Sequence, residues 1–207
     1  MSRACHIVGA GDFWSEGFHP QPGDFIIAAD GGILRTPRCD LAVGDFDSLG
    51  YVPEGVRVIR HPVMKDDTDT MLAVKWALQN GFRRILLHGG SGGRSDHTMA
   101  NLQTLSYIAR HGGIGVLMAQ PMCAACLLNG SAAFEPNQEG ILSVFAWGGE
   151  ARGVDIEGLL YTLKDGTLTP DMPLGVSNHF TGQSARVSVR DGMLLLMWPG
   201  PALPEFQ

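Results

Sequence analysis

Six short apolar runs, at residues 5–8, 25–29, 41–43, 56–59, 85–87 and 116–119, are bounded by Gly, Pro or Asp and divide the first 130 residues into a regular alternation. Runs of this length, apolar at successive positions, read as strands buried on both faces, the signature of a parallel sheet. Helical patterns lie between them. Thr68 or Asp69 can cap a helix that ends at Asn80 before Gly81, with Met71, Val74 and Leu78 on one face. Ser95 can cap a second, over 96–110, carrying Met99, Leu102, Leu105 and Ile108. Strands alternating with helices predict an α/β fold, a doubly wound, mostly parallel layer over residues 1–130. Beyond Gly130 the period changes to short alternating segments, at 141–145, 159–163, 185–189 and 193–198, separated by Gly- and Pro-containing turns. That pattern predicts a smaller antiparallel β-sandwich over 131–207, with Asp165-Gly166 and Asp191-Gly192 as hairpin turns.

Composition narrows the partners. Hydrophobic residues make up 44% of the 207, enough for a packed core, and the net charge of −6 speaks against nucleic acid or an anionic membrane as partner, since each selects a basic face. No window approaches the roughly 20 apolar residues of a membrane span. The apolar stretch at 4–10 is short, is interrupted by His6 and lacks a cleavage-type sequel, so a cytoplasmic protein is expected. Four cysteines include Cys123 and Cys126 in a CxxC, but no second ligand pair stands at zinc spacing, and small buried hydrophobes are the reading preferred over metal or redox chemistry.

The chemistry is concentrated in carboxylates. Asp45 and Asp47 lie two apart, on one side of an extended segment, and Lys65-Asp66-Asp67-Thr68-Asp69 follows within twenty residues. So many converging anions call for a hard cation, and oxygen ligands without nearby His or Cys favour magnesium. Asp67 reads better as an acidic residue complementing a helix N-terminus. His88-Gly89-Gly90-Ser91-Gly92-Gly93-Arg94 can offer backbone N–H groups to an anion, with Arg94 as a phosphate clamp. The same glycines match G-x-S-x-G, the nucleophile elbow of hydrolases, yet an elbow enters its helix at once and gives the carboxylates no role. His97, one residue into the helix, reads as a hydrogen-bonding packer. Carboxylates, glycines and arginine together describe a magnesium nucleotide site.

In family order, Ala29-Asp30-Gly31-Gly32, Gly44-Asp45-Phe46-Asp47-Ser48, Lys65-Asp66 with Thr68-Asp69, Gly92-Gly93-Arg94 with Asp96-His97, Ala100-Asn101, Gly158-Leu159 with Tyr161 and Leu163, and Ser177-Asn178 resemble the thiamine pyrophosphokinase family. Met64, where an acidic residue is frequent, and Thr162, where proline is frequent, are mild departures. The resemblance implies a nucleotide domain, a sandwich domain, a homodimer with thiamine held between subunits, and pyrophosphoryl transfer from ATP to thiamine with release of AMP. It implies magnesium at Asp45, Asp47 and Asp69, and catalytic roles for Asp47, Asp69, Arg94 and Asp96. Nucleotide contacts are implied at Asp30, Gly31, Gly32, Ser48, Lys65, Asp66, Thr68, Gly92, Gly93 and Asn101. Tyr161, Ser177 and Asn178 would form the thiamine pocket, the aromatic ring suiting a thiazolium cation. A non-catalytic nucleotide or thiamine-binding module, and a metal-dependent sugar-nucleotide transferase, are the competing readings.

Overall fold

The computed structural model describes residues 3–36, 38–47 and 49–207, so Ser48 lies outside the described residues. The chain divides into two compact units, Met1–Ala119 and Gln120–Gln207. The division falls ahead of the expected boundary near Gly130 because β7 (Met122–Leu128) pairs antiparallel with β14 (Met193–Pro199).

In the first unit β1 (Ala4–Val8), β2 (Phe25–Ala29), β3 (Leu41–Gly44), β4 (Arg57–Arg60), β5 (Arg84–His88) and β6 (Ile114–Met118) hydrogen-bond in the order β6-β5-β1-β2-β3-β4. Every one of these pairings is parallel. The apolar runs explain this: β1 is buried at every position, and Ile7, Ile27, Leu41, Ile85 and Leu87 are completely enclosed. Helix α1 (Asp69–Gln79) starts at Thr68, whose hydroxyl accepts from the Met71 N–H at 3.2 Å, and Gly81 follows it at φ 86°. Helix α2 (Ser95–Arg110) begins one residue earlier than expected, with Arg94 at the cap position and no side-chain cap. The two helices pack on one another, hence on one face. The β1–β2 and β2–β3 connections carry only 3-10 turns, at Ser15–Gly17 and Asp30–Leu34. The parallel layer is therefore as expected, while among the described residues α-helices cover one face rather than both. Among these residues no helix is long and apolar enough to cross a membrane.

The second unit adds β8 (Ser131–Phe134), β9 (Ile141–Ala146), β10 (Ala151–Glu157), β11 (Leu163–Leu168), β12 (Gly175–His179), β13 (Ala185–Asp191) and β15 (Glu205–Phe206). They form two antiparallel layers, in the orders β12-β9-β14-β7 and β11-β10-β13-β8-β15. Trp198 of β14 meets Phe134 of β8 edge to face, with ring centroids 5.8 Å apart. Two turn expectations and one strand expectation need correction. Asp165 and Gly166 lie inside β11, where Asp165 at φ 46° forms a bulge opposite β10. Asp191-Gly192 does turn the chain, but from β13 in one layer to β14 in the other, so it is a corner and not a hairpin. Residues 159–161 are not a strand and make one isolated bridge, Leu159 to Phe180. Cys123 and Cys126 sit three apart on one strand and so point to opposite faces. With Cys5 they are buried thiols, the small-hydrophobe role expected, and burial pushes the Cys5 thiol up to about 12.

Candidate active site

Parallel strands place all their carboxyl ends on one edge, so Gly9-Ala10-Gly11 after β1, Asp30 after β2, Asp45-Phe46-Asp47 after β3 and Gly89 to Arg94 after β5 share one side of the sheet. The chain winds outward from β1 to β4, then returns to place β5 on the other side of β1, which makes β1 and β5 the switch point. There the two glycine loops continue the ladder: Gly9 N–H donates to His88 O at 2.8 Å, Gly11 N–H to Gly89 O at 2.9 Å and Asp12 N–H to Ser91 O at 2.8 Å. A Cβ at Gly11 would stand 2.4 Å from Ser91 O, so only glycine permits this approach. Gly9 and Gly11 escaped the sequence reading, although Gly-x-Gly directly after an apolar run was the available signal.

Between these loops and the start of α1 lies a cavity of about 490 Å³. Of the residues expected to bind nucleotide, Asp30, Thr68, Gly92, Gly93 and Asn101 line it, joined by Asp69 and Arg94. Gly92 and Gly93, at φ 81° and 62°, form a left-handed pair whose N–H groups suit an anion. Asn101 braces the loop, its Nδ2 donating to Gly90 O at 2.7 Å. Gly31 and Gly32 are buried and do not line the cavity: a Cβ on Gly32 would meet Val8 O at 1.8 Å, so this glycine serves packing.

The carboxylates gather beside the cavity. Asp30, Asp45 and Asp47 each offer an oxygen, and the three lie within 4.8 Å of one another. Phe46 is buried at φ 61°, so the segment is a tight turn and not extended, and the Asp47 N–H donates to Asp45 Oδ1 at 3.2 Å. Asp69 is outside this trio. Lys65 bridges it to Asp45, with Nζ 3.0 Å from Asp69 Oδ1 and in contact with Asp45 Oδ2. The Lys65 hydrogen bond holds the Asp45 carboxyl below the ordinary carboxylate range, whereas burial raises that of Asp69 against the pull of the same lysine. Asp66 is exposed and away from the cavity, and Asp67 pairs with Lys75 at 2.6 Å ahead of α1. Arg94 and Asp96 are exposed and face each other, Nε to Oδ1 at 3.1 Å and the second guanidinium nitrogen to Oδ2 at 2.6 Å. His97 lines the cavity as an exposed residue.

In the second unit Asn178 is buried and frames Tyr161: its Oδ1 accepts the Tyr161 N–H at 2.9 Å and its Nδ2 donates to Tyr161 O at 2.6 Å. The Tyr161 ring is exposed. Ser177, at φ 60° in a bulge of β12, donates its N–H to Ser143 Oγ at 3.1 Å.

Oxygen donors converging beside glycine loops at a switch point define a site suited to a phosphorylated ligand and a divalent cation. The family model for "Thiamin pyrophosphokinase, catalytic domain" matches residues 21–117, and that for "Thiamin pyrophosphokinase, vitamin B1 binding domain" matches 133–194. The chain belongs to the thiamine pyrophosphokinase family. It is 26% identical over 183 residues to a thiamine pyrophosphokinase of Bacillus subtilis (strain 168), covering 81% of this chain and 80% of that one. A crystal structure of thiamine pyrophosphokinase from Bacillus subtilis shares the fold with a TM-score of 0.84 at 22% identity, covering 97% of this chain and all of the other. A thiamin pyrophosphokinase family protein from Enterococcus faecalis gives 0.82 at 27% identity over 96% and 99% of the two chains.

Proposed function

We propose that this chain transfers the pyrophosphoryl group of ATP to the hydroxyl of thiamine, giving thiamine diphosphate and AMP. The observation that carries the reading is the glycine-lined cavity with its adjacent carboxylate trio, the trio and all of the cavity lining but Gly9, Ala10 and Gly11 falling in the segment that the catalytic-domain family model matches. The thiamine oxygen bonds to the β-phosphorus, the bond from that phosphorus to the α,β-bridging oxygen breaks, and the hydroxyl proton is lost. AMP carries away the bridging oxygen. No protein nucleophile is needed, so the residues act by position and field.

Asp30, Asp45 and Asp47 fit a magnesium ion: their oxygens converge and no softer ligand is among them. When bound, magnesium supplies neutralising charge to the phosphate oxygens. Backbone N–H groups of Gly92 and Gly93 receive phosphate oxygens, and Thr68, at the head of α1, presents the positive end of the helix to the same cavity. Arg94, with its planar fork, exchanges Asp96 for a phosphate. Asp96, thereby released, is within the same short turn as a candidate to accept the hydroxyl proton.

Tyr161 gives thiamine its aromatic face, Asn178 fixes the backbone that carries it, and Ser177 adds a hydroxyl. Leu160, Tyr161, Met172, Leu174 and Val176 are all exposed apolar residues of the second unit, which supports a homodimer with shared active sites. The cytoplasm, where ATP and magnesium are abundant, is the compartment that suits this chemistry. Incubation with ATP, magnesium and thiamine should yield AMP and thiamine diphosphate in equal amounts, identified by ion-exchange chromatography and mass spectrometry. Release of ADP, or nucleotide cleavage indifferent to thiamine, overturns the proposal.

A further inference from the structure

Lys65 supplies a positive charge to the carboxylates through the chain itself. Its ammonium touches Asp45 Oδ2 and lies 3.0 Å from Asp69 Oδ1, and its side chain is only 14% exposed. The other Asp45 oxygen accepts the Asp47 N–H at 3.2 Å. Both oxygens of the Asp45 carboxylate, a member of the trio, are therefore engaged, and one of them is held by a cation. An ammonium and a divalent ion on that oxygen would repel each other at close range with little water between them.

We propose that Lys65 is an internal counter-ion that competes with the divalent cation for Asp45 and is released toward the nucleotide phosphates when that cation binds. The inference rests on the magnesium and nucleotide reading above. Lysine suits the part because a compact charge on a flexible four-carbon stem can move between partners, which a bidentate guanidinium does poorly. The exchange also opens Asp69, freed from the same ammonium, to the cation beside Asp45. It has a consequence for binding order. Bare metal must displace a resident charge, whereas metal arriving with ATP gives that charge a new partner, so the site favours the metal-nucleotide complex over the metal alone.

The chain has three lysines, Lys65, Lys75 and Lys164, which makes amine labelling readable residue by residue. In wild-type protein, trace acetylation followed by peptide mass spectrometry should find Lys65 slow relative to the exposed Lys164. Saturating magnesium alone should raise the Lys65 rate several-fold, and α,β-methylene ATP added with the metal should lower it again. By electron paramagnetic resonance, Lys65→Met and Lys65→Gln should each bind manganese alone about tenfold more tightly, while their affinity for α,β-methylene ATP falls. A Lys65 labelling rate indifferent to saturating magnesium overturns the proposal, as does manganese affinity unchanged or weakened in the variants. If the variants do not fold, the wild-type labelling decides. Thiamine diphosphate formation without Lys65 exchange refutes this inference alone. Exchange without thiamine diphosphate formation refutes the transfer reading alone.

Discussion

Asp30 shows what a linear reading loses at the scale of one residue. Family resemblance places it among nucleotide contacts, and the structure adds its carboxylate to those of Asp45 and Asp47, leaving Asp69 on the far side of Lys65. The pairing of Ala29 with Val43 in the parallel ladder brings the ends of β2 and β3 together, and no local pattern in the sequence announces that register. The spacing of Asp45 and Asp47 was legible, but for a different reason than alternation: a buried Phe46 in left-handed conformation turns the two carboxylates toward one point. If the trio holds the cation, Asp30→Asn should raise the magnesium concentration needed for half-maximal activity as strongly as Asp47→Asn does. Each should lower turnover at least about a hundredfold, close to 3 kcal/mol of barrier, with thermal unfolding little changed. Magnesium titration of initial rates measures both. An Asp30→Asn enzyme with wild-type magnesium dependence would remove Asp30 from the ligand set.

Between elements, a buried polar chain ties β1 to β5 beneath the glycine loops. Asp24 accepts the N–H groups of Gln21 and Ala4, each at 2.8 Å, and approaches His6 Nε2 at 3.3 Å, while His6 Nδ1 lies 3.0 Å from His88 Nε2. A carboxylate only accepts, so His6 donates from Nε2, accepts at Nδ1, and His88 donates to it. Burial pushes Asp24 up, but these donors outweigh it and leave the carboxyl below its ordinary range. Burial lowers His6, and burial with the His6 charge lowers His88 from 6.5 to about 3. The unfolded chain therefore binds more protons than the folded one below pH 6.5, and stability falls with falling pH through the window from about 6.5 to 3. At pH 5 His88 alone should remove about 2 kcal/mol relative to pH 7.5. Asp24 and Asp45, both lowered, lose their contribution only as pH falls below the ordinary Asp value of 3.8, outside the comparison of pH 5 with pH 7.5, and Asp69, raised by burial, opposes the trend. Urea unfolding at the two pH values should show the loss, and His88→Phe should flatten it. Gly32→Ala offers a second check at this scale. Its methyl would fall 1.8 Å from Val8 O, so β1 and the turn after β2 must separate, at a cost of about 3 kcal/mol or more seen as a lower unfolding midpoint. Helix α1 and the strands of the first unit were legible because burial and capping are local signals. The corner at Asp191-Gly192 was not, since a tight turn reads the same whether it joins neighbours in one sheet or passes between two.

For the whole molecule, the change of period along the chain revealed two kinds of architecture. It misplaced the joint because β7, an apolar run like those of the parallel strands, pairs with β14 some seventy residues on. Tyr161 is the point where the second architecture is tied to function in the proposed reading. Tyr161 is 66% exposed while Asn178, itself buried, holds its backbone N–H and C=O, an arrangement that fixes the backbone carrying the aromatic ring and leaves the residue open. A cation stacked there and desolvated by a second copy should gain on the order of 1–2 kcal/mol. Tyr161→Ala should then raise the KM for thiamine by roughly 5- to 30-fold and leave that for ATP nearly unchanged, and Tyr161→Phe should restore most of the loss. If each site draws on two chains, mixing Tyr161→Ala with Asp47→Asn and allowing subunits to exchange should give activity above either parent, because each heterodimer keeps one site with both parts intact. Equal effects on the two substrates would detach Tyr161 from thiamine. A fully active monomer by size-exclusion chromatography, or a mixture no better than its parents, would instead assign the whole site to one chain.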